Sequence, residues 1–495
     1  MSTPSSVAAA IGRFGNLWGR GHETFPRSLR RILSVKGKDD HATKYLQGLV
    51  TCDLTKEPNV PRMEPLPTTE NDNENHSNYN LPPPVDVEFT SNMRSTCFLD
   101  QKGRILTDAL LWRRSLQFKG DQNDNNNKEM EYLIDVPADS ADILLDHLKK
   151  FKLRRTKVDI DDVSDNFSVH CTYGTLNAKG PPPGFMAAVD PRHPSLGVRV
   201  LSYSQEESDT AMTHEERKER FSKMNSRFFP EANGTYSVLR KLVGVAEGNE
   251  IHGKTALECN QDFLNAISFN KGCYLGQELT ARSQHVGTIR KRIMPIIITD
   301  TNMEIPRPWI LASKLQNIGL ENIEADIIKG LGIGTESAEK ELPPLLPRIS
   351  APGIGGIVAM MQGHLRLPVM SDNSDDQQTQ PQISEEEEDY MKKLQKENEI
   401  LLQDLEKVAV PGAKILDQKD GKPIGQIISL PASGSPVILA QMRLDQVGLL
   451  KNDSGIKWNQ TNKILIGEGL REFRYLPFLP LWWPEIDPKT GKGKL

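Results

Sequence analysis

The sequence has few cysteines, and they are badly placed for pairing. Cys52, Cys97, Cys171, Cys259 and Cys273 are odd in number, widely spaced and free of any C-x-x-C pair. That argues against a disulfide framework or a closed zinc site and fits a reducing compartment. No run of about 18 apolar residues occurs, so no segment reads as membrane-spanning. Positive charge is not in excess either: 61 basic against 66 acidic side chains give a formal charge of -5, which argues against capture of nucleic acid by the molecule as a whole. The first 22 residues contain no acid. There Arg13 and Arg20 alternate with Val7, Ile11, Phe14, Leu17 and Trp18, so residues 1–26 read as a matrix-targeting presequence.

What is present is a long, polar chain. Its 495 residues give room for roughly three domains, but only 37% are hydrophobic and 26% are charged, so a good part is expected to be solvated insertion. Stretches 57–84, 120–130 and 204–223 carry the Pro, Asn, Asp and Glu that cannot bury enough apolar surface to order themselves. Residues 300–408 lose periodicity until Glu385 opens a helix bearing Met391, Leu394, Leu401, Leu405 and Val408, which reads as locally docked and too short for a coiled coil.

Between these stretches the pattern alternates. Arg31 to Gly37 reads as a strand, followed by a helix capped by Asp39 or Asp40 with Tyr45, Leu46, Leu49 and Val50 on its apolar face. Thr96–Asp100 and Ile105–Trp112 flank a turn as a hairpin. Tyr132–Val136 is a strand, and Ala138 to Phe151 a helix with Ile143, Leu144, Leu148 and Phe151 inward. The basic end of that helix, Lys149 to Arg155, complements the helix dipole and reads as a solvated terminus more readily than as a nucleic-acid patch. Val158–Ile160 and Phe167–Cys171 are strands, and Tyr236 to Val245 begins a helix. From residue 409 to 485, short strands with polar turns suggest a small barrel, closed by the anchor Leu481-Trp482-Trp483-Pro484, with 486–495 as a tail. Hairpins mixed with helices indicate an α+β region over 27–299.

One stretch carries chemistry: Phe269-Asn270-Lys271-Gly272-Cys273-Tyr274-Leu275-Gly276-Gln277-Glu278. Two glycines allow a sharp bend, and a helix-forming run starts at Gln277, so Cys273 stands just outside a helix N-terminus with Lys271 beside it. Both features favour a thiolate, a nucleophile or soft-metal ligand. The bland reading of Cys273 as a small buried apolar residue stands beside this one. Asp108 lies among apolar residues, where a carboxylate is costly unless paired; it reads equally as a site residue or an outward strand position. Arg282, Arg290, Lys291 and Arg292 could receive an anionic ligand, against charge balance with Glu278 and solvent. Arg192 and His193, in a Pro- and Gly-bounded turn, read as surface residues, and Cys52 as packing.

Lys271-Gly272-Cys273-Tyr274-Leu275-Gly276-Gln277-Glu278 resembles the signature of the YgfZ branch of the glycine-cleavage T-protein (GcvT-like, folate-binding) superfamily. Leu257-Glu258-Cys259-Asn260, Thr280-Ala281-Arg282 and His285 to Arg292 resemble its surroundings, and Tyr45 to Thr51 its opening. The resemblance implies a multidomain α+β fold with mixed sheets and a small C-terminal β-barrel. Mitochondrial members of the branch are iron-sulfur cluster maturation factors. The implied role is therefore [4Fe-4S] assembly in the mitochondrial matrix on clients of the aconitase and radical-SAM lipoate-synthesis kind. Cys273 would be the catalytic thiol and transient cluster ligand and Lys271 its helper; a single thiolate implies a partner with its own, an A-type iron-sulfur scaffold protein. The resemblance also implies tetrahydrofolate as a cofactor, with Asp108, Tyr274, Gln277, Glu278, Arg282 and Arg290 as ligand-binding candidates. A folate-dependent aminomethyl transferase and a non-enzymatic interaction scaffold are the alternatives. Asp190 to Arg199 departs from the transferases, having no acid after Asp190 in that turn.

Overall fold

The computed structural model describes residues 21–57, 93–116, 129–173, 181–204, 212–226, 231, 234–299, 348–349, 400–431, 437–450, 463–467, 469–477, 479–480 and 482–494. Residues 1–20 of the expected presequence, most of the insertions 57–84 and 120–130, nearly all of 300–399 and Leu481 lie outside them.

Two antiparallel sheets form the first part. Strands β1 (Gly21–Phe25), β7 (Phe167–Tyr173), β9 (Val198–Tyr203) and β8 (Phe185–Val189) make a four-stranded sheet in the order β1-β7-β9-β8. Strands β3 (Met93–Leu99), β4 (Ile105–Leu116), β5 (Glu129–Pro137), β2 (Arg30–Lys38) and β6 (Asp159–Asp162) make a five-stranded one in that order. β1 shares residues with the segment assigned to the presequence. Its Glu23 is 7% exposed, accepting from Tyr173 Oη at 2.9 Å and from the Tyr236 amide at 3.1 Å, so residues 21–25 are built into the sheet.

Apolar residues on both faces keep β2 and β5 central: Ile32, Leu33 and Val35 pack with Leu133, Ile134 and Val136. The helices follow the sequence pattern with local shifts. α1 (His41–Gln47) starts at Asp40 without a side-chain cap and buries Leu46. α2 (Ala141–Phe151) turns Ala141, Leu144, His147 and Leu148 inward. Ile143, expected inside, is 43% exposed; the buried face is rotated toward His147, whose ring meets Phe151 at 4.8 Å. α3 (His214–Asn225) occupies part of the expected insertion 204–223, started by a capping box between Thr213 and Glu216 and seated through Phe221, 1% exposed. α4 (Thr235–Val243) and α5 (Gln277–His285) complete the set.

The barrel is real but wider in sequence than 409–485. Its strands β10 (Lys291–Thr299), β12 (Lys414–Asp417), β13 (Pro423–Ile427), β14 (Val437–Arg443), β15 (Lys463–Ile466) and β16 (Arg471–Pro477) close in the order β10-β14-β13-β12-β15-β16. β10 comes from before the 300–408 insertion and seals the cylinder between β14 and β16. A short parallel pair, β11 (Arg348–Ile349) with β17 (Leu479–Pro480), lies beside it. Residues 400–408 are helical with Leu401 and Leu405 buried, as a docked helix requires.

One hydrophobic core runs from the four-stranded sheet through α4 into the barrel. Trp482 and Trp483 are each 2% exposed; Trp482 donates to the Val243 carbonyl and Trp483 meets Phe263 edge-on at 5.5 Å. They act as packing, as expected. The tail beyond them is docked as well: Ile289 N–H donates to Thr490 O at 2.8 Å and Lys492 Nζ to Gln284 O at 2.6 Å.

Candidate functional site

Of the five cysteines, Cys52, Cys97, Cys171 and Cys259 are buried and Cys273 is exposed. Burial pushes the four enclosed thiols up, that of Cys171 to about 12, so they serve as packing. Cys273 stands in a loop immediately before α5, as the sequence predicts, and the loop is fixed from both sides.

On one side it is anchored to the end of α1 and the turn that follows. Ser268 N–H donates to Thr51 O and Leu275 N–H to Gly48 O, both at 2.9 Å. Lys271 Nζ donates to the carbonyls of Gln47, Val50 and Cys52 at 2.8, 2.6 and 2.8 Å. An ammonium has three donors, and all three are spent here, on the carbonyl of the last residue of α1 and on two carbonyls of the turn after it. This corrects the expectation for Lys271: its ammonium is committed to building the loop, and it is not available as the partner of the Cys273 thiol. Burial lowers its pKa to about 8, with Cys52 and Asp53 opposing. Its Nζ also lies 4.8 Å from the centre of the Tyr274 ring.

On the other side the loop packs against the tip of the β3–β4 hairpin. Gly276 has φ +77°, and a Cβ on it would come within 2.4 Å of Asp100 O; Gly103, also at φ +77°, faces Gly276 O in return. Glycine is required at both positions. Gly272 has no such need, since a Cβ there would meet nothing within 4 Å. Gln277 Oε1 accepts the Tyr274 amide at 3.2 Å. Tyr274 is half-buried beside Cys97 and Cys259, its hydroxyl raised to about 12 by burial. The result is a rigid shelf with one exposed thiol at its lip. Phe269, 37% exposed, and Glu278, Arg282 and Arg290, all exposed, lie along the same segment.

Arg292 does not join them. It is fully buried, paired with Asp262 at 2.9 Å and 3.9 Å from the centre of the Phe263 ring, and it is structural.

Asp108 lies elsewhere, in a charged cluster sealed between the two sheets. Four guanidiniums (Arg30, Arg192, Arg199, Arg240) face five carboxylates (Asp108, Asp135, Asp190, Glu247, Glu250). Arg30 Nε meets Asp135 Oδ1 at 2.7 Å, and Arg192 NH2 meets Asp190 Oδ2 at 2.7 Å. Arg192 also pairs with Glu247, and both Arg192 and Arg199 donate to Tyr236 Oη, at 2.7 and 2.9 Å. Arg199 lies against the edge-to-face pair of Phe25 and Tyr236, 4.8 and 4.7 Å from their ring centres. Burial pushes the Glu247 carboxyl up, but Arg192, Arg30, Arg240 and Arg199 together outweigh that and hold it below the usual carboxylate range. Asp108 is the acid in excess: burial, and then Glu247, push its carboxyl up against Arg192 and Arg30.

Arg192 and His193 are therefore not surface residues. They are 2% and 0% exposed, and His193 lies 4.9 Å from the Trp482 ring; burial lowers the imidazole to about 3. Nothing in the local turn signal showed this. The one hint was an Asp190-x-Arg192 pair followed by Arg199 between Val198 and Val200, charges set inside an apolar alternation.

The cluster also tests the cofactor expectation. Asp108 is 5% exposed, its Oδ1 accepts the Gly248 amide at 2.8 Å and its Oδ2 faces Arg192 at 3.8 Å. A carboxylate so engaged does not fit as the anchor of a pterin. Its partners are the Gly248 amide and Arg192, and it makes no hydrogen bond or ion pair with Tyr274, Gln277, Glu278, Arg282 or Arg290.

No family model matches the chain. Three curated proteins named iron-sulfur cluster assembly factor IBA57 homolog, mitochondrial, are similar to it. That of Dictyostelium discoideum is 30% identical over 300 residues, 56% of this chain and 63% of its own. That of Neurospora crassa is 31% identical over 283 residues, 54% and 52%, and that of Pyricularia oryzae 33% identical over 277 residues, 55% and 56%. Among solved structures, an aminomethyltransferase T of the glycine cleavage system from Bartonella henselae aligns over 99% of this chain and 92% of its own, with a TM-score of 0.46 and 9% identity. The matched part spans between half and two thirds of the length of these curated relatives. The resemblance read from the sequence is borne out: across the half of its length that aligns, the chain is similar to mitochondrial iron-sulfur cluster assembly factors named IBA57 homologues.

Proposed function

We propose that this protein is an iron-sulfur cluster maturation factor of the mitochondrial matrix that assists [4Fe-4S] assembly on client enzymes, with Cys273 as its working thiol. The observation that carries the reading is the exposure of Cys273 alone among the five cysteines, on a shelf fixed by Lys271 and Gly276, in a chain similar to factors named for this task.

The cluster is cargo here. A thiolate supplies one soft ligand, whereas a [4Fe-4S] cluster is held by four. Among the described residues no group of three or more His, Cys, Asp or Glu is placed to hold a metal, so the other ligands come from a partner, an A-type scaffold protein or the client apoprotein. Cys273 would take part in a shared, transient ligation that is completed when the client's own cysteines replace it. Lys271 acts by position, keeping the loop in one conformation so that little ordering entropy is lost on docking.

The test is anaerobic reconstitution of apo-aconitase and of a radical-SAM lipoate synthase with an A-type scaffold as donor. Wild type is expected to accelerate activation, and Cys273→Ala to fall to the rate without the factor while keeping its thermal midpoint. Equal activation by the alanine variant would remove the thiol from the mechanism. Calorimetry with tetrahydrofolate separates the transferase alternative: binding accompanied by turnover would support it, and the engagement of Asp108 predicts no turnover.

A further inference from the structure

A run of uncompensated positive charge lies on the described surface, far in sequence from the thiol loop. Lys149, Lys150, Lys152, Arg154, Arg155 and Lys157 fall within nine residues that contain no acid, and all six are exposed. Among the described residues none of them takes part in an ion pair; Lys150 only lies over the Phe151 ring at 5.8 Å. The exposed acids that flank the run, Asp146 and Asp159, are not joined to it. The dipole of α2 accounts for Lys149 and Lys150 in its last turn, but its effect fades within that turn, and four cations lie beyond it.

The shape of the segment adds a second observation. α2 stops at Phe151, Lys152 is extended, and a turn closed by Thr156 N–H donating to Leu153 O at 2.9 Å follows. Leu153 is 72% exposed in the middle of the cations. Leu148 and Val158, 0% and 3% exposed, pin the two ends into the core. An aliphatic side chain is thus presented from a short, anchored turn ringed by ammonium and guanidinium groups. The aromatic in the run, Phe151, is half-buried against His147, so no stacking platform for bases is offered.

We propose that the 149–157 turn docks the protein reversibly on an anionic phospholipid bilayer, the six cations meeting headgroup phosphates and Leu153 entering the headgroup boundary. Clusters of four to eight Lys or Arg suffice for such attachment, and one inserted aliphatic adds apolar burial. No helix among the described residues is long and apolar enough to cross a membrane, and this contact does not need one. The inference stands apart from the role of Cys273.

Co-sedimentation of the full chain with vesicles tests it. Vesicles of phosphatidylcholine with about one third phosphatidylglycerol should bind the protein at low salt and release it at high salt, and pure phosphatidylcholine should not bind it. Replacing Lys152, Arg154 and Arg155 by alanine should weaken binding roughly a hundredfold, and Leu153→Ser about tenfold, each with an unchanged thermal midpoint. Absence of wild-type binding to the anionic vesicles, or equal binding by the triple variant, would overturn the proposal. So would single-stranded RNA binding more tightly than the vesicles and without regard to Leu153, which would make this a nucleic-acid surface.

Discussion

The inter-sheet cluster and the Cys273 shelf are opposite solutions to placing reactive side chains. The cluster gathers nine ionisable groups and a tyrosine, yet nearly all its side chains are enclosed and pair with one another. The shelf has a single thiol, exposed, and the polar groups around it are used to hold backbone. A dense set of perturbed carboxylates is an expected mark of a catalytic centre, but here it marks the joint between two sheets and α4. Accessibility, not the number of titratable groups, separates the candidate site from the scaffold.

The comparison can be broken most forcefully from the cluster side. Arg199→Met leaves five carboxylates facing three guanidiniums in the buried cluster, with Arg30 and Arg192 still beside Asp135 and Asp190, and should cost about 3–5 kcal/mol of stability, read by denaturant unfolding, while the folded fraction keeps its client-activating rate. A loss of activity larger than the loss of folded protein would move the site into the cluster. On the shelf, Lys271→Met strands three carbonyls and should cost about 1–3 kcal/mol. Unlike Arg199→Met, it should also raise hydrogen exchange at the amides of Ser268 and Leu275 ahead of global unfolding; an unchanged loop would show that the ammonium is not what holds it.

The folded architecture was legible where partners are close in sequence. β2, the β3–β4 hairpin, β5, β7 and most of the barrel strands follow from alternation and turn residues. Cys273 outside a helix start and Gly276 in a bend were also readable. Long-range closure was not. β10 reads as one more strand, because its barrel partners β14 and β16 follow an insertion of more than a hundred residues. Lys271 reads against its chain neighbour Cys273 because the carbonyls that accept its hydrogen bonds belong to residues 47–52. Arg192 and His193 sit between prolines and a glycine, a surface-turn signature, and only the docking of α4 and Trp482 over that turn buries them. Ile143 and His147 exchanged places because a helix face defined by four apolar residues is uncertain by a fraction of a turn.

Smaller effects sharpen the same contrast. Gly276→Ala should cost about 1–3 kcal/mol, since it combines left-handed strain with a collision against Asp100 O, whereas Gly272→Ala should be close to neutral; equal effects would contradict the packing of the hairpin tip on the loop. Asp108→Asn keeps an acceptor for the Gly248 amide and removes the surplus negative charge. The pKa of Asp108 is raised in the folded state, so the native protein holds a proton that the unfolded chain has already released. Wild-type stability is therefore lost as pH rises from the ordinary aspartate range through the raised value. The variant should unfold at slightly higher temperature near neutral pH, and its advantage should vanish as the medium is acidified below that range. An advantage that persists in acid would assign the effect to something other than this carboxyl.

The most direct measurement is timed alkylation of the native protein under anaerobic conditions, with the modified cysteines mapped by mass and client activation assayed at each time point. Modification should be confined to Cys273 until the chain is unfolded, and activity should decline in step with it. Full activity in molecules whose Cys273 is completely alkylated would contradict the account.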